Sequence, residues 1–236
     1  ADRSVHTGAI YLHQGEPWLV ADYLPAEHTA LVRPGRDGYF TQALSHSDIQ
    51  ILERLNQAQL RAGHVFFGTV ELASQVTGYL RRDEQTGKVW DSTPLDLPRR
   101  TLRTQAVWYT LDAAALVGIP AKDLPGAAHA AEHTAIGLLP AFAPCDRWDI
   151  GGLSTTLHPD TGQLTVFVHD GAAGGAGFAE QGFTQIDRWL GATLDRLRSC
   201  PCVDGCPSCV VSPKCGNGNQ PLNKTAAAAL LELLVE

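Results

Sequence analysis

Residues 200–216 read CPCVDGCPSCVVSPKCG and carry five of the six cysteines of this 236-residue chain. Within this segment Cys206 and Cys209 enclose two residues, a spacing that lets a short loop direct two thiolates at one metal ion. A tetrahedral zinc ion needs four soft donors, so a second pair of thiols has to complete the site. The segment therefore predicts a structural zinc site near the carboxyl end of the chain.

The second pair of ligands has to come from the three other cysteines of the segment. Cys200 and Cys202 are so close in sequence that an extended chain would point both thiols the same way and strain a shared tetrahedron. We therefore keep Cys200 as the reserve ligand. The predicted ligands are Cys202, Cys206, Cys209 and Cys215. Two disulfides with one free thiol, or reduced cysteines without an ion, are the alternatives.

The composition is typical of a folded protein with a sizeable core, since 44% of the residues are hydrophobic and 18% are charged. The net charge of -7 argues against a domain that coats nucleic acid by bulk electrostatics, although a local basic strip remains compatible with it. No apolar run is long enough for a membrane helix, and we expect no membrane partner. The chain contains no methionine, so we expect it to be an excised segment of a longer polypeptide.

The distribution of apolar residues predicts an α+β fold. Short β-type runs separated by turn residues fill residues 5–110 and predict an antiparallel sheet or a small barrel. Helical spacing predominates afterwards, which predicts a mainly helical second half that holds the zinc site. The expected division is a β-rich subdomain at 1–110 and a zinc-binding subdomain at 111–236, unless both form one compact domain. Residues 47–62 fit either an amphipathic helix or a strand.

Basic side chains concentrate near the cysteine segment and predict a strip that faces DNA. The residues of this strip are Arg188, Arg196, Arg198, Lys214 and Lys224. A second basic cluster, Arg99, Arg100 and Arg103, precedes Trp108 and suggests stacking with single-stranded DNA. For both clusters, solvated surface or loop positions are the alternative.

His129, Glu132 and His133 form a pattern known from zinc hydrolases, in which two histidines bind zinc and the glutamate acts as the base. A third ligand would have to come from downstream, and the candidates are Asp146, Asp149, His158 and Glu180. The alternative is a half-buried helix whose histidines make structural hydrogen bonds.

The glycine-rich loop 171–177 follows a predicted strand and precedes a helix. Backbone N–H groups in such a loop can receive phosphate oxygens. The loop has no lysine or arginine, and Asp170 precedes it, which favours a tight turn in which Asp170 caps the next segment.

The segment from Cys200 to Asn217 closely resembles the C-terminal zinc-binding domain of MrfA/YprA-type superfamily 2 DNA helicases. Residues 9–15 resemble the strand entry of that family, and His129–His133 followed by Leu139-Pro140 resembles its central helix. Residues 146–152 and 170–177 also agree. The resemblance therefore spans nearly the whole chain, and the cysteines are its most specific part.

The resemblance implies an ATP-dependent helicase that unwinds DNA with 3′ to 5′ polarity in DNA repair. The pattern Gly-x4-Gly-Lys-Ser/Thr is missing, because the Gly87-Lys88 pair is followed by Val89. We therefore expect a cytoplasmic accessory domain without catalytic residues, which helps to guide or separate DNA strands. Its implied partners are single-stranded or forked DNA and the motor domains of the same polypeptide, where ATP and Mg would bind. A zinc hydrolase and a pure protein-interaction module are the competing hypotheses.

Overall fold

The structure is a computed structural model that describes residues 2–35 and 38–235. The fold is α+β, and its sheets are mostly antiparallel. The chain forms two compact units, each discontinuous in sequence. Unit 1 comprises Ala1–Ser47 and Ala73–Arg100, and unit 2 comprises Asp48–Leu72 and Thr101–Glu236. The division into a β-rich subdomain at 1–110 and a zinc-binding subdomain at 111–236 stays a prediction.

Two long strands, β4 and β5, form a hairpin in which only two residues separate them. Each strand has residues in both units. Residues 47–62 therefore belong mainly to a strand, not to a helix. Pairing with β5 decides between the two conformations that the spacing of Ile51, Leu55 and Leu60 left open. The strands before and including this hairpin are β1 (Ile10–His13), β2 (Glu16–Leu24), β3 (Thr29–Pro34), β4 (Tyr39–Leu60) and β5 (Gly63–Asp83).

Unit 1 contains helix α1 (Asp2–Val5) and a small antiparallel sheet of order β1-β2-β3. It also contains β6 (Val89–Pro94), which pairs with the end of β5 in an antiparallel hairpin. Gly87 adopts φ +68 in the connecting turn, a left-handed conformation that favours glycine. The β-type runs at 76–82 and 88–90, on either side of the loop 83–87, predict this hairpin, and the structure confirms it.

The sheet of unit 2 has the strand order β4-β5-β7-β9-β8, which is an open path and not a closed barrel over the described residues. Strand β7 spans Arg100–Leu111, β8 spans Ile150–Thr155 and β9 spans Leu164–Asp170. On one face of this sheet, Trp108 stacks between Phe66 and Phe167, with ring centroids 5.6 and 5.7 Å apart. The β-rich first half is therefore confirmed in the form of open antiparallel sheets.

Helix α2 is the central element of unit 2 and packs against β8, β9 and two further helices, α4 and α5. Every residue from Gly126 to Ile136 is buried, as expected for a helix with neighbours all around it. Trp189 of α4 donates its indole N–H to the carbonyl of Ala135 at 2.9 Å. The helices are α2 (Leu124–Leu138), α3 (Phe178–Thr184), α4 (Ile186–Ser199) and α5 (Lys224–Val235).

The second half of the chain is not mainly helical, in contrast to the prediction. Strands β8 and β9 complete the sheet. Residues 200–223 have no helix or strand, and the prolines at 201, 207, 213 and 221 disfavour both. The spacing of residues 112–117 predicts a helix, but the structure has a turn there, followed by a short 3-10 helix, Ala115–Gly118. No helix of the described residues is both long and apolar enough to cross a bilayer.

Candidate metal centre

Four cysteine sulfurs converge directly after α4. We call this set the four-thiol group, and its members are Cys200, Cys202, Cys206 and Cys209. Neighbouring sulfurs lie 3.6 Å apart for Cys200 and Cys202, 3.5 Å for Cys200 and Cys206, 3.4 Å for Cys202 and Cys209, and 3.7 Å for Cys206 and Cys209. Sulfurs that each bind one zinc ion at about 2.3 Å are roughly 3.8 Å apart in a tetrahedron. The donor set and its dimensions therefore fit zinc.

The chain forms this group through a tight turn. Gly205 adopts φ +116, and the carbonyl of Cys206 accepts the N–H groups of Cys209 at 3.0 Å and Val211 at 3.1 Å. The N–H of Cys206 in turn lies 3.3 Å from the sulfur of Cys209. These short-range bonds bring both sulfurs of the Cys-x2-Cys pair to the same side of the turn.

Lys224, the first residue of α5, fixes the other half of the group. Its ammonium group donates to the carbonyls of Cys200 and Cys202, both at 2.6 Å, and lies 3.4 Å from the Cys202 sulfur. A cation at this position offsets part of the negative charge that four thiolates bring to a zinc ion. The start of the last helix is thereby attached to the end of α4.

The sulfurs of the four-thiol group differ in acidity. Hydrogen bonds from the Ser208 backbone and from the Cys200 thiol lower the pKa of Cys206 to about 7. Burial raises the pKa of Cys209 to about 12. A bound dication favours the thiolate form of every ligand, because it compensates the cost of a buried negative charge.

The structure brings together three of the predicted ligands and the reserve ligand Cys200, but not Cys215. The expected strain between Cys200 and Cys202 is absent, because Cys200 adopts an extended conformation (φ -71, ψ 122) before Pro201 and the two sulfurs reach the spacing of a tetrahedral edge. Cys215 lies instead beside His129, with its sulfur 3.4 Å from Nε2. The sequence alone could not separate these arrangements, since α2 contributes the decisive neighbours.

A second set of potential ligands therefore forms between α2 and the cysteine segment. We call it the His-Cys group, and its members are His129, His133 and Cys215. The ligand atoms lie within 4.8 Å of one another, and the two histidine rings are 4.2 Å apart between centroids. Burial raises the pKa of the Cys215 thiol, but hydrogen bonds from the backbone of Asn217 and Asn219 favour the thiolate, and the net shift of the pKa is downward.

Glu132 is not a member of the His-Cys group, whereas the hydrolase pattern requires this glutamate as the base beside the metal. Its carboxylate accepts the hydroxyl of Ser154 on β8 at 2.7 Å. Burial raises the pKa of Glu132 to about 7. Cys215 takes the third position beside the histidines, and this residue was not among the candidates because a helix pattern gives no information about a distant turn.

The five basic residues of the predicted DNA strip fall into two classes. Arg188, Arg196 and Arg198 are exposed on α4, where Arg198 also pairs with Glu232 at 2.8 Å. Lys214 and Lys224 are half-buried, and both ammonium groups donate to backbone carbonyls. These two lysines stabilise the fold locally.

Neither Trp108 nor the glycine-rich loop 171–177 is available for contact with nucleic acid in the structure. Trp108 is 0% exposed, so its ring is inaccessible for stacking with bases. Its place between two phenylalanine rings explains the burial. The glycine-rich loop directs amide groups inward, since the Asp170 carboxylate accepts the N–H groups of Ala176, Gly177 and Ala179. The expectation of a tight turn capped by Asp170 is confirmed.

Comparison with known proteins places this arrangement in a family. The profile described as the MrfA zinc-binding domain matches residues 131–210, a range that contains the whole four-thiol group. An uncharacterized protein of Methanocaldococcus jannaschii is 38% identical over 112 residues, which are 45% of this chain and 98% of that protein. The chain belongs to the MrfA zinc-binding domain family. The resemblance inferred from the cysteine pattern is confirmed.

The MrfA-family domain is also similar to parts of two larger proteins. ATP-dependent helicase HRQ1 of Saccharomyces cerevisiae is 26% identical over 246 residues, which cover 98% of this chain and 23% of that protein. The uncharacterized ATP-dependent helicase YprA of Bacillus subtilis is 30% identical over 211 residues, which cover 87% and 27%. The chain thus spans about a quarter of the length of these relatives.

The fold of the MrfA-family domain also occurs in a solved structure. The crystal structure of DUF1998 helicase MrfA bound to DNA superimposes with a TM-score of 0.70 at 27% identity. The similarity covers 98% of this chain and 30% of that chain. Both compact units of the domain therefore have counterparts in a helicase of known structure.

Proposed function

We propose that this MrfA-family domain is the C-terminal accessory zinc-binding domain of an ATP-dependent 3′ to 5′ superfamily 2 DNA helicase. In that protein it helps to guide or separate DNA strands, single-stranded or forked, during DNA repair. The observation that carries the proposal is the four-thiol group, which combines zinc-type geometry with membership of the MrfA family. Relatives named ATP-dependent helicases support the assignment of the parent protein.

The zinc ion of the four-thiol group has a structural role in this proposal. Four cysteines fill a tetrahedral zinc site and leave no position for a substrate or an activated water. The ion would hold together the turn at 200–209, and Lys224 joins this turn to the start of α5 through two of its carbonyls. Zinc binding thereby becomes part of the folding free energy of unit 2.

The chemistry of the parent protein belongs elsewhere in this proposal. We assign no catalytic residue to the domain, and we assign the binding of ATP and Mg to motor domains of the same polypeptide. Thiols that hold zinc have to stay reduced, which is the state that the cytoplasm maintains. The proposed location is therefore cytoplasmic.

DNA contact is assigned to the exposed arginines of α4. Arg188, Arg196 and Arg198 are solvent-exposed, whereas the buried face of the helix packs into unit 2. Guanidinium groups on such a surface bind backbone phosphates and release counterions from the nucleic acid. The similarity to a helicase crystallised with DNA supports this assignment.

Replacing the three α4 arginines by alanine is expected to weaken binding to single-stranded DNA and to reduce its salt dependence. Each phosphate contact contributes about 0.7 to the slope of log affinity against log salt concentration, so the triple variant should lose about 2. Fluorescence anisotropy with labelled single-stranded and forked DNA over a salt series measures both quantities.

The matched control removes the same positive charge from other exposed positions, in the variant Arg3→Ala, Arg33→Ala and Lys122→Ala. This control should keep a slope close to that of the unmodified domain. Equal slopes for the unmodified domain and the α4 triple variant would contradict the assignment of the DNA surface. A domain without any salt-dependent DNA affinity would instead favour the protein-interaction hypothesis.

Lys224→Met tests whether the lysine of the predicted strip serves the fold and not the DNA. The substitution leaves the carbonyls of Cys200 and Cys202 without their charged donor, so we expect the free energy of unfolding to fall by about 1–3 kcal/mol. The salt slope of DNA binding should not change. Urea denaturation followed by circular dichroism measures the stability. A changed salt slope at unchanged stability would show that Lys224 contacts DNA and does not stabilise the fold.

A further inference from the structure

The His-Cys group lies outside the four-thiol group and has no role in the function proposed above. Two of its three members, His129 and Cys215, also fall outside the range 131–210 that matches the family profile. Both histidines are largely buried, with exposed fractions of 9% and 4%. Histidines placed four positions apart on one helix face, with a thiol opposite them, form a donor set that suits zinc.

The hydrogen bonds fix which ring nitrogens carry protons. His129 Nδ1 lies 2.8 Å from the carbonyl of Pro221, and His133 Nδ1 lies 2.7 Å from the carbonyl of Val210. A carbonyl oxygen only accepts, so each Nδ1 is the protonated nitrogen. In a neutral ring Nε2 then carries a lone pair, and the Nε2 of His129 lies 3.4 Å from the Cys215 sulfur.

Without a bound cation, the three side chains of the His-Cys group cannot all find partners among themselves. The thiol of Cys215 has one proton, which serves at most one of the two Nε2 acceptors. A divalent ion that is bound by both Nε2 atoms and by the Cys215 thiolate provides a partner for the lone pairs of all three atoms.

The surroundings hold the donors in this arrangement. Backbone carbonyls that accept from Nδ1 orient metal-binding histidines in many proteins. On the other side, the N–H of Asn219 donates to the Cys215 sulfur at 3.2 Å. The side chain of Asn219 also bonds the N–H and the carbonyl of Ser212, at 2.7 and 3.0 Å, which closes the turn around Cys215.

We propose that His129, His133 and Cys215 bind a second zinc ion, separate from the zinc of the four-thiol group. The ligand atoms are His129 Nε2, His133 Nε2 and Cys215 Sγ. The 3.4 Å between sulfur and His129 Nε2 is close to the roughly 3.6 Å expected for tetrahedral zinc with these ligands. Three protein ligands leave one coordination position for water. The ion links α2 to the turn at 212–219.

The zinc content of the unmodified domain gives the first test. Purified domain, saturated with zinc and freed of unbound metal, should contain about two zinc ions per chain. Inductively coupled plasma mass spectrometry measures the ratio of zinc to protein. A ratio of about one overturns the second site and leaves the proposed function intact, since the four-thiol group accounts for that ion.

Substitutions then assign the ions to their sites. Cys215→Ser and His133→Gln should each lower the zinc content by about one per chain, whereas the control Cys145→Ser, outside both groups, should lower none. Cobalt in place of zinc provides a readout that does not depend on stability. The thiolate-to-cobalt absorption of the unmodified domain should decrease in Cys215→Ser and persist in Cys145→Ser. An unchanged spectrum in Cys215→Ser overturns the proposal.

Discussion

Replacing Cys206 by serine is expected to remove the zinc ion of the four-thiol group and to disrupt the segment around it. The binding free energy of a structural zinc site is on the order of 10 kcal/mol at neutral pH, which is comparable to the whole stability of a typical domain. We expect the variant to lose about one zinc ion per chain, to melt at a much lower temperature and to be cleaved rapidly within residues 200–223. Metal analysis, calorimetry and limited proteolysis measure these effects.

Cys145→Ser is the matched control for this substitution. Cys145 is half-buried and belongs to neither metal group, so its replacement should leave the zinc content unchanged. Treating the unmodified domain with a chelator should reproduce the cleavage seen in Cys206→Ser. A Cys206→Ser variant with full zinc content and unaltered melting would refute the assignment of this residue as a ligand.

The second large effect concerns Asp170, which is fully buried at the end of β9. Its carboxylate accepts the N–H groups of Gly177 and Ala179, both at 2.9 Å, together with that of Ala176. Asp170→Ala leaves these donors without their acceptor, and we expect the free energy of unfolding to fall by about 3–4 kcal/mol. The corresponding decrease in melting temperature is roughly 10 °C. Calorimetry and urea denaturation measure the change.

Asp195→Ala provides the comparison, because Asp195 is exposed on α4 and has the same charge. Its replacement should change the stability by no more than about 0.5 kcal/mol. Asp170→Asn should lie between the two, since the amide retains one acceptor oxygen. If Asp170→Ala and Asp195→Ala were equally stable, the loop 171–177 would not depend on the carboxylate for its shape.

The sequence alone determined those features that depend on short-range order. The Cys-x2-Cys spacing and its neighbours predicted the zinc-binding segment, and the resemblance to the MrfA family is confirmed by the family profile. Helix α2 and the β5–β6 hairpin follow from patterns within fewer than 20 residues. The capping role of Asp170 was also predictable, because its partners lie within the following turn.

Only the tertiary structure decided which of several chemically equivalent residues come together. Cys200 replaced Cys215 in the four-thiol group because His129 and His133, more than 80 residues earlier, face the turn that carries Cys215. The pairing of β4 with β5 decided between strand and helix at 47–62. Packing also separated the exposed arginines of α4 from the lysines that bind backbone carbonyls. The spacing of residues in the sequence determines which side chains meet within one turn or helix. Which side chains meet across the core depends on how the helices and strands pack.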